Sequence, residues 1–286
     1  MDYWLNMATI DVDQLVPLAR AAEELGFGGV ALPDHLVFPA HVRSAYPYSK
    51  DGSMTWPSRS PWPDVWVAIA AMATATQRMM FATTVFVVPL RDPFTVAKAA
   101  GTAALLSKGR VVCGLGAGWM REEFDVLGVD FATRGARFDE MVEVLRLLWT
   151  GESVEYHGAH FDFPPIQMHP APGQVPVIVG GNTAPARRRA VLADGWCGAH
   201  HDIEATAGYV ADLTARRAAA GTLERPFRLV VTGSPRITRD ADALADLGVD
   251  TVGVPLAALT ASSALSARVD ALAAFAATAG VRALPA

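Results

Sequence analysis

The chain has 286 residues, of which 51% are hydrophobic and 19% are charged, and its formal net charge is −5. This composition is too apolar for a disordered protein, and the length is sufficient for a large hydrophobic core. The negative charge provides no basic field for a polyphosphate backbone, so we expect no nucleic-acid partner.

The cysteine content and the hydropathy pattern predict a cellular location. Cys113 and Cys197 are the two cysteines of the chain, too few for a disulfide framework and typical of a reducing compartment. The first residues contain no basic segment, so no signal peptide is predicted. The longest uncharged runs, 65–77 and 79–90, are shorter than the roughly 20 residues of a membrane-spanning helix. We therefore expect a cytoplasmic protein without a membrane partner.

Short apolar segments alternate with amphipathic ones along the chain, which is the pattern of βα units around a parallel sheet. The apolar spacing predicts eight strands, at 3–7, 29–33, 79–88, 111–116, 175–179, 196–199, 228–232 and 251–254. It predicts helices at 12–25, 62–76, 93–107, 135–150, 184–193, 204–220, 240–247 and 263–279. Eight such units favour an α/β fold, one (β/α)8 TIM barrel spanning 1–286 as a single domain, over an open doubly wound sheet.

Two connections are too long to serve as simple linkers. The first follows strand two, covers about 35–61, and is rich in Tyr, Trp, Ser and Pro; the second, 152–174, precedes strand five and contains a Pro cluster. In a TIM barrel the catalytic site lies where the strands end, and the first of these connections begins at such an end.

Strand two ends in Pro33-Asp34-His35. An acid next to an imidazole at a strand end can form a proton donor with an orienting carboxylate. The alternative is that Asp34 caps a turn and His35 packs under the long loop.

Strand four ends in Gly114-Leu115-Gly116-Ala117-Gly118-Trp119. Glycines at alternate positions remove the side chains from one face of a strand, which makes room for a flat ligand or for a close backbone approach. The spacing does not match a dinucleotide fingerprint, and tight helix–strand packing is the alternative interpretation.

Strand five continues into Gly180-Gly181-Asn182-Thr183-Ala184-Pro185. Glycines before a capped helix leave backbone N–H groups for an anion, so this segment is a candidate phosphate cradle, helped by any inward-pointing arginine of 187–189. An ordinary βα turn is the alternative.

Other kinds of chemistry have little support in the sequence. The histidines show no metal-ligand spacing, so no metal is expected. None of the three lysines ends a predicted strand, which argues against a Schiff-base enzyme. A barrel with a flat, phosphate-bearing ligand and few catalytic groups suggests that a cofactor performs the chemistry.

Three segments carry a family resemblance: GLGAGWMREEF at 114–124, RGARFDEMVEVLRLLWTGE at 134–152 and PVIVGGNTAPARRRAVLADGWC at 176–197. They resemble the bacterial luciferase-like monooxygenase superfamily, and more closely its branch of deazaflavin (coenzyme F420)-dependent oxidoreductases. The segment 88–116 extends the resemblance over most of the chain. The family motifs are specific for the superfamily and less specific for the cofactor, because members that use FMN share them.

The resemblance implies a TIM barrel that holds an isoalloxazine-like ring at its mouth, beside a non-prolyl cis peptide bond at Thr84–Val85. It implies that His35, with Asp34, lies over the ring and transfers a proton to or from a small-molecule substrate. The cofactor-binding residues would be Thr84, Val85, Gly116, Ala117, Gly118, Gly180, Gly181, Asn182 and Thr183. Our candidates for the substrate pocket are Tyr46, Tyr48, Trp56, Phe86 and Trp119, and packing under the long loop is the alternative for each of them.

Two departures from the family pattern bear on the reaction. Trp119 stands where some family dehydrogenases have a glutamate, and Glu122 and Glu123 are the nearest acids along the chain. Ala117 stands where luciferase relatives have an arginine near the phosphate, which favours the deazaflavin over FMN. An FMN-dependent monooxygenase and a catalytically silent cofactor-binding barrel are the alternatives. The resemblance also implies a homodimer, formed through the apolar segments 65–75 and 94–106.

Overall fold

The computed structural model of the protein describes residues 1–49, 51–54, 56–232 and 239–282. The strands are β1 (Asp2–Asn6), β2 (Gly29–Leu32), β3 (Met80–Thr83), β4 (Phe86–Val87), β5 (Val111–Gly116), β6 (Val154–His157), β7 (Asp162–Ile166), β8 (Val177–Gly180), β9 (Gly195–Ala199), β10 (Arg228–Thr232) and β11 (Thr251–Pro255). The helices are α1 (Val12–Glu24), α2 (Val65–Thr74), α3 (Pro93–Leu106), α4 (Arg121–Val126), α5 (Arg134–Leu148), α6 (Ala184–Ala190), α7 (Ile203–Ala219), α8 (Ala241–Asp246), α9 (Leu256–Leu259) and α10 (Leu265–Ala279).

Eight of these strands form a closed parallel barrel. In the order β1, β2, β3, β5, β8, β9, β10, β11, each strand pairs with the next, and β11 returns to pair with β1. The short strand β4 continues β3 beyond an interruption and also pairs with β5. The predicted (β/α)8 barrel is therefore confirmed.

The barrel interior is filled by side chains, so it is a packed core and not a channel. One inward layer takes a residue from each of seven strands: Trp4, Ala31, Ala82, Val112, Ile178, Cys197 and Val230. The helices pack outside the sheet, where a larger apolar cluster separates them from the strands.

Side-chain caps fix where two of the barrel helices begin. The carboxylate of Asp64 accepts from the backbone N–H groups of Trp66 and Val67, and Asp92 accepts from that of Thr95. Each cap satisfies donors that the first helical turn leaves without an acceptor.

The structure adds two short helices and two strands that periodicity did not predict. Helices α4 and α9 have six and four residues, too short to show a helical repeat in the sequence. The connection 152–174 contains the antiparallel hairpin of β6 and β7, whose pairing is irregular between Val154 and Tyr156. An irregular register hides the period of two that identifies a strand.

No helix in the described ranges is long and apolar enough to cross a membrane.

Candidate functional site

The predicted site residues gather at the mouth of the barrel, where the parallel strands end. Asp34 and His35 follow β2, the Thr84–Val85 peptide follows β3, and the glycine segments follow β5 and β8. Two further segments join them there, namely α4 and the loop after β2.

His35 is held by a carboxylate of α4. Its Nδ1 lies 3.1 Å from Oε2 of Glu123, and the backbone N–H groups of Leu36 and Val37 donate to Oε1 at 2.6 and 3.3 Å. His35 and Glu123 are both buried. Since a carboxylate accepts hydrogen bonds, we assign the proton of neutral His35 to Nδ1. Its Nε2, which has no hydrogen-bond partner among the described residues, is then free to exchange a proton.

Asp34 has a different partner from the one that the sequence suggested. Both of its carboxylate oxygens accept from the guanidinium of Arg91 at 2.7 Å, and the backbone N–H of Val87 donates to it at 3.0 Å. Burial raises the pKa of the Asp34 carboxyl, and Arg91 and the Val87 N–H counteract this rise. The expectation that Asp34 orients His35 is therefore wrong: Glu123 does so, and Asp34 fixes the chain after β3.

The peptide bond Thr84–Val85 is cis, as the family resemblance implied. The strand glycines explain how Val85 fits inside the barrel. A Cβ atom at Gly116 would lie 2.4 Å from Val85, and one at Gly180 would lie 2.2 Å from it. The missing side chains therefore make room for Val85, which is the close-approach interpretation of the glycine pattern.

Gly114 and Gly118 have similar packing roles. A Cβ at Gly114 would meet the backbone oxygen of Thr83, and one at Gly118 would meet the side chains of Phe124 and Val87. Gly118 also has a φ of +84°, a conformation that favours glycine.

The segment Gly180–Thr183 is tied into the fold by its own side chains. The amide of Asn182 donates to the backbone oxygen of Ala199 and accepts from the Ala199 N–H, and the Thr183 hydroxyl caps α6. Arg187 and Arg189 form ion pairs with Asp212 and Asp139. These arginines are therefore bound to carboxylates, and a phosphate in this cradle would depend on backbone N–H groups.

Aromatic side chains surround His35 at the mouth. The ring of Trp62 lies 4.7 Å from the imidazole, and those of Phe38, Trp56 and Trp119 lie 5.7, 6.0 and 6.1 Å away. Tyr46 contacts Trp56 and Trp119. We call Phe38, Tyr46, Trp56, Trp62 and Trp119 the aromatic cluster. Its members are half-buried, so a small molecule can reach them.

Helix α4 also anchors the loop that supplies these rings. Oε1 of Glu122 accepts from the backbone N–H groups of Arg43 and Ser44 at 2.7 and 3.0 Å. Although desolvation opposes it, hydrogen bonds from Ser44 and from the backbone of Arg43 lower the pKa of Glu122 to about 2. The two adjacent glutamates of α4 thus have separate tasks, one toward the loop and one toward His35.

The loop also reaches the opposite side of the mouth. Tyr48 stacks on His201, which follows β9, with ring centroids 6.4 Å apart. Burial raises the pKa of the Tyr48 and Tyr46 hydroxyls. Both phenols therefore stay protonated over the ordinary pH range.

Phe86 does not join the aromatic cluster. It is buried with its ring 5.2 Å from Trp66 of α2, and the Arg91 guanidinium lies 4.1 Å from its centroid. The structure therefore assigns Phe86 to the packing behind the site, whereas Tyr46, Trp56 and Trp119 lie around His35.

The described residues include neither a reactive thiol nor a group of side chains arranged to bind a metal ion. Burial raises the pKa of Cys113 and raises that of Cys197 to about 12, so neither thiol provides a thiolate nucleophile near neutral pH. Within the described ranges, no group of three His, Cys, Asp or Glu side chains is arranged to hold a metal ion.

The sequence reasoning missed the roles of Glu123, Arg91 and Trp62. Glu123 is one of the acids nearest to Trp119 along the chain, but its contact with His35 spans 88 positions. The pair Glu122-Glu123 directly after the strand-four glycines was the available signal, since acids in a first helical turn at a strand end face the mouth.

These features agree with a known family. The family model described as luciferase-like monooxygenase matches residues 3–282. The chain belongs to this family. The predicted resemblance and the prediction of an oxidoreductase of the luciferase-like type are thereby confirmed.

Individual relatives share much of the chain. An uncharacterised protein of Mycobacterium tuberculosis (strain ATCC 25618 / H37Rv) is 37% identical over 86% of this chain and 85% of its own. An F420-dependent glucose-6-phosphate dehydrogenase of Amycolatopsis mediterranei is 31% identical over 64% of this chain and 52% of its own. The crystal structure of the monooxygenase RslO1 from Streptomyces bottropensis has the same fold, with a TM-score of 0.77 and 18% identity over 97% of this chain and 98% of its own.

Proposed function

We propose that this protein is a coenzyme F420-dependent oxidoreductase that transfers a hydride between the deazaflavin and a small organic substrate. The observation that carries the proposal is the His35–Glu123 pair, buried at the mouth of a luciferase-like barrel with Nε2 available. The Asp34 contact with Val87 keeps this pair beside the Thr84–Val85 peptide. The F420-dependent relative from Amycolatopsis supports the choice of cofactor.

The residues around the cis peptide fit a planar cofactor. The Thr84 hydroxyl is buried with no hydrogen-bond partner among the described residues, and Thr84 and Val85 are half-buried residues between the buried Thr83 and Phe86. A buried hydroxyl of this kind calls for an acceptor or donor from a bound molecule. Thr84 and Val85 would contact the ring. The remaining cofactor contacts would come from the mouth residues Gly116, Ala117, Gly118, Gly180, Gly181, Asn182 and Thr183.

The deazaflavin, when bound, supplies the hydride chemistry. In the oxidative direction, Nε2 of His35 accepts the proton of a substrate hydroxyl; in the reductive direction, it returns a proton to the carbonyl oxygen. Glu123 holds Nδ1 and stabilises the imidazolium that forms. The loop after β2 covers the site and excludes water.

The second candidate is an FMN-dependent monooxygenase that uses reduced flavin and oxygen. It is favoured by the similarity of the whole barrel to RslO1, which is described as a monooxygenase. Against it stands Ala117, at the position where luciferase relatives have an arginine near the phosphate.

The two candidates are separated by titrating the purified protein with coenzyme F420 and, separately, with FMN, while following fluorescence or heat. Tight binding of F420 alone is the expected result, and tight binding of FMN alone would overturn it. Oxygen consumption provides a second measurement, since a monooxygenase consumes oxygen and a deazaflavin dehydrogenase barely reacts with it. Binding without any turnover would identify a silent cofactor-binding barrel.

We also propose that the protein forms a homodimer through α2 and α3. Val67 on α2 and Leu106 on α3 are 70% and 50% exposed, and Phe94 and Leu105 on α3 are also exposed. Exposed apolar residues that cluster on two adjacent helices favour an interface between subunits.

A further inference from the structure

The tryptophans of this fold differ in how their indole N–H groups are used. Those of Trp4, Trp149 and Trp196 donate to Asp2, to the backbone of Ala97 and to the backbone of Gly181, at 2.8 to 3.1 Å. The Nε1 atoms of Trp56 and Trp62 are buried, yet no described residue accepts from them. Since buried tryptophans usually find an acceptor, these two donors point to one that the described residues do not supply.

The two unpaired donors belong to the same part of the site. The ring centroids of Trp56 and Trp62 lie 5.7 Å apart, and they lie 6.0 and 4.7 Å from the centroid of the His35 imidazole. The indole N–H of Trp66 on α2 is also buried without an acceptor among the described residues. Its ring packs against Phe86 and makes no aromatic contact with His35. Two N–H donors and the free Nε2 of His35 are thus collected among half-buried aromatic rings.

The electrostatics of this cluster select against anions. His35, which these rings surround, is paired with the buried carboxylate of Glu123. No guanidinium of the described residues stacks on Phe38, Tyr46, Trp56, Trp62 or Trp119, and the nearby Arg91 is bound by Asp34. A phosphate or carboxylate placed here would lose its hydration without gaining a cation.

We propose that the substrate is an uncharged carbonyl compound or alcohol with an aromatic or branched apolar body, whose oxygen accepts hydrogen bonds from the indole N–H groups of Trp56 and Trp62. This inference rests on the proposed function, because it places the oxygen beside the proton-exchanging nitrogen of His35. It also separates this protein from a sugar-phosphate dehydrogenase, whose substrate is anionic. A site built to donate to an oxygen discriminates strongly against an analogue that lacks it.

The test compares three probes of similar shape on the 15N-labelled protein: acetophenone, α-methylstyrene and benzoate. In α-methylstyrene a CH2 group replaces the carbonyl oxygen, and in benzoate a carboxylate replaces the acetyl group. The indole N–H resonances report hydrogen bonding directly, because an acceptor deshields the indole proton. The lost signals of Trp56→Phe and Trp62→Phe assign the two resonances, and those of Trp149 and Trp196, already bonded, are internal controls.

Acetophenone is expected to shift the Trp56 and Trp62 resonances downfield and leave those of Trp149 and Trp196 in place. It should bind about fivefold or more tightly than α-methylstyrene, because one or two hydrogen bonds are lost with the oxygen. Benzoate should bind at least about tenfold more weakly than acetophenone. Equal binding of acetophenone and α-methylstyrene, or stronger binding of benzoate, would overturn the proposal.

The two substitutions provide an independent arm. Each removes an N–H donor while keeping an aromatic ring, so acetophenone should bind about fivefold more weakly to each variant and α-methylstyrene equally well to all three proteins. If a variant does not fold, the relative affinities of the three probes for the unsubstituted protein still test the proposal. Failure of acetophenone to bind, with and without F420 present, would also contradict the inference.

The parallel titration with F420 keeps this inference distinct from the proposed function. Binding of F420 without selectivity for acetophenone would remove the substrate class and leave the oxidoreductase proposal intact. Selective binding of acetophenone without binding of F420 would support the substrate class and overturn the proposed cofactor.

Discussion

At the scale of single residues, the site depends on which carboxylate reaches which base. Asp34 and His35 are neighbours in the chain, and adjacency suggested a pair. In extended backbone, however, neighbouring side chains point to opposite sides. Asp34 therefore turns to Arg91, and His35 turns to Glu123. The sequence identified the histidine and not its partner, since the partner comes from a distant element.

His35→Ala is expected to lower turnover by about tenfold or more, because it removes the group that exchanges the substrate proton. The affinity for F420 should remain nearly unchanged, since the imidazole donates to Glu123 alone and that carboxylate keeps the backbone N–H donors of Leu36 and Val37. Steady-state kinetics and a cofactor titration check the two halves of this prediction. Unaltered turnover would exclude His35 from the mechanism.

Glu123→Gln tests the orientation of His35. The amide keeps the shape of the side chain but cannot stabilise an imidazolium, so kcat should fall about tenfold or more while KM changes little. Asp125→Asn, which changes an exposed carboxylate of the same helix, is the matched control, and its kcat should stay close to the original value. An equal loss in both variants would mean that the loss comes from damage to α4 and not from the contact with His35.

At the scale of elements, the loop after β2 and the interrupted strand β3 determine the shape of the mouth. The sequence predicted a long loop rich in aromatic residues, because its composition is local information. It did not predict that α4 would clamp this loop, since a helix of six residues carries no detectable period. The glycines of β5 and β8 were recognised as special, but the side chain that needs their space, Val85, comes from another strand.

The loop anchor is expected to weaken in acid. The pKa of Glu122 is lowered from 4.5 to about 2 in the folded protein, so its contribution is complete above pH 4.5 and is lost as the pH falls toward 2. Limited proteolysis of the loop, measured between pH 5 and pH 2, should show cleavage rising as the pH falls. In Glu122→Gln the loop should be cleaved readily at every pH in this range. If cleavage of that variant instead rose with falling pH as it does in the unsubstituted protein, Glu122 would not be the loop anchor.

Gly180→Ala should disturb Val85, because its new methyl group would lie 2.2 Å from the Cγ1 atom of Val85. Overpacking of this kind costs about 1–3 kcal/mol of unfolding free energy, and binding of the planar cofactor should weaken as well. Adding Val85→Ala should restore much of the stability. Gly208→Ala is the control: its methyl group meets nothing within 4 Å on α7, and it should gain up to about 1 kcal/mol. Denaturant unfolding and cofactor titration distinguish these outcomes.

At the scale of the whole molecule, the closed barrel brings groups from β2, β3, β5, β8 and β9 to one mouth. The predicted homodimer would cover α2 and α3, whose outer residues are apolar and exposed. A sequence cannot tell an outer apolar face from a buried one, because the same residue types occupy both.

Val67→Asp should shift the protein from dimer to monomer, since it places a charge on an exposed apolar residue of the proposed interface. Leu192→Asp, at a residue after α6 that is 71% exposed, should leave the dimer unchanged. Light scattering after size-exclusion chromatography gives the mass of each species. A monomeric unsubstituted protein would refute the dimer. Dissociation by Leu192→Asp would mean that the interface involves the surface after α6 and not α2 and α3.

The sequence by itself determined the barrel, the long loop after its second strand, the histidine at the mouth and the family. These features depend on local composition, on periodicity and on motifs that are continuous in the chain. The tertiary structure alone decided which carboxylate orients His35, where Asp34 is bound, why the strand glycines are needed and which indole groups lack acceptors. Each of these is a contact between elements far apart in the chain, and such contacts are set by how the strands close and how the loop folds over them.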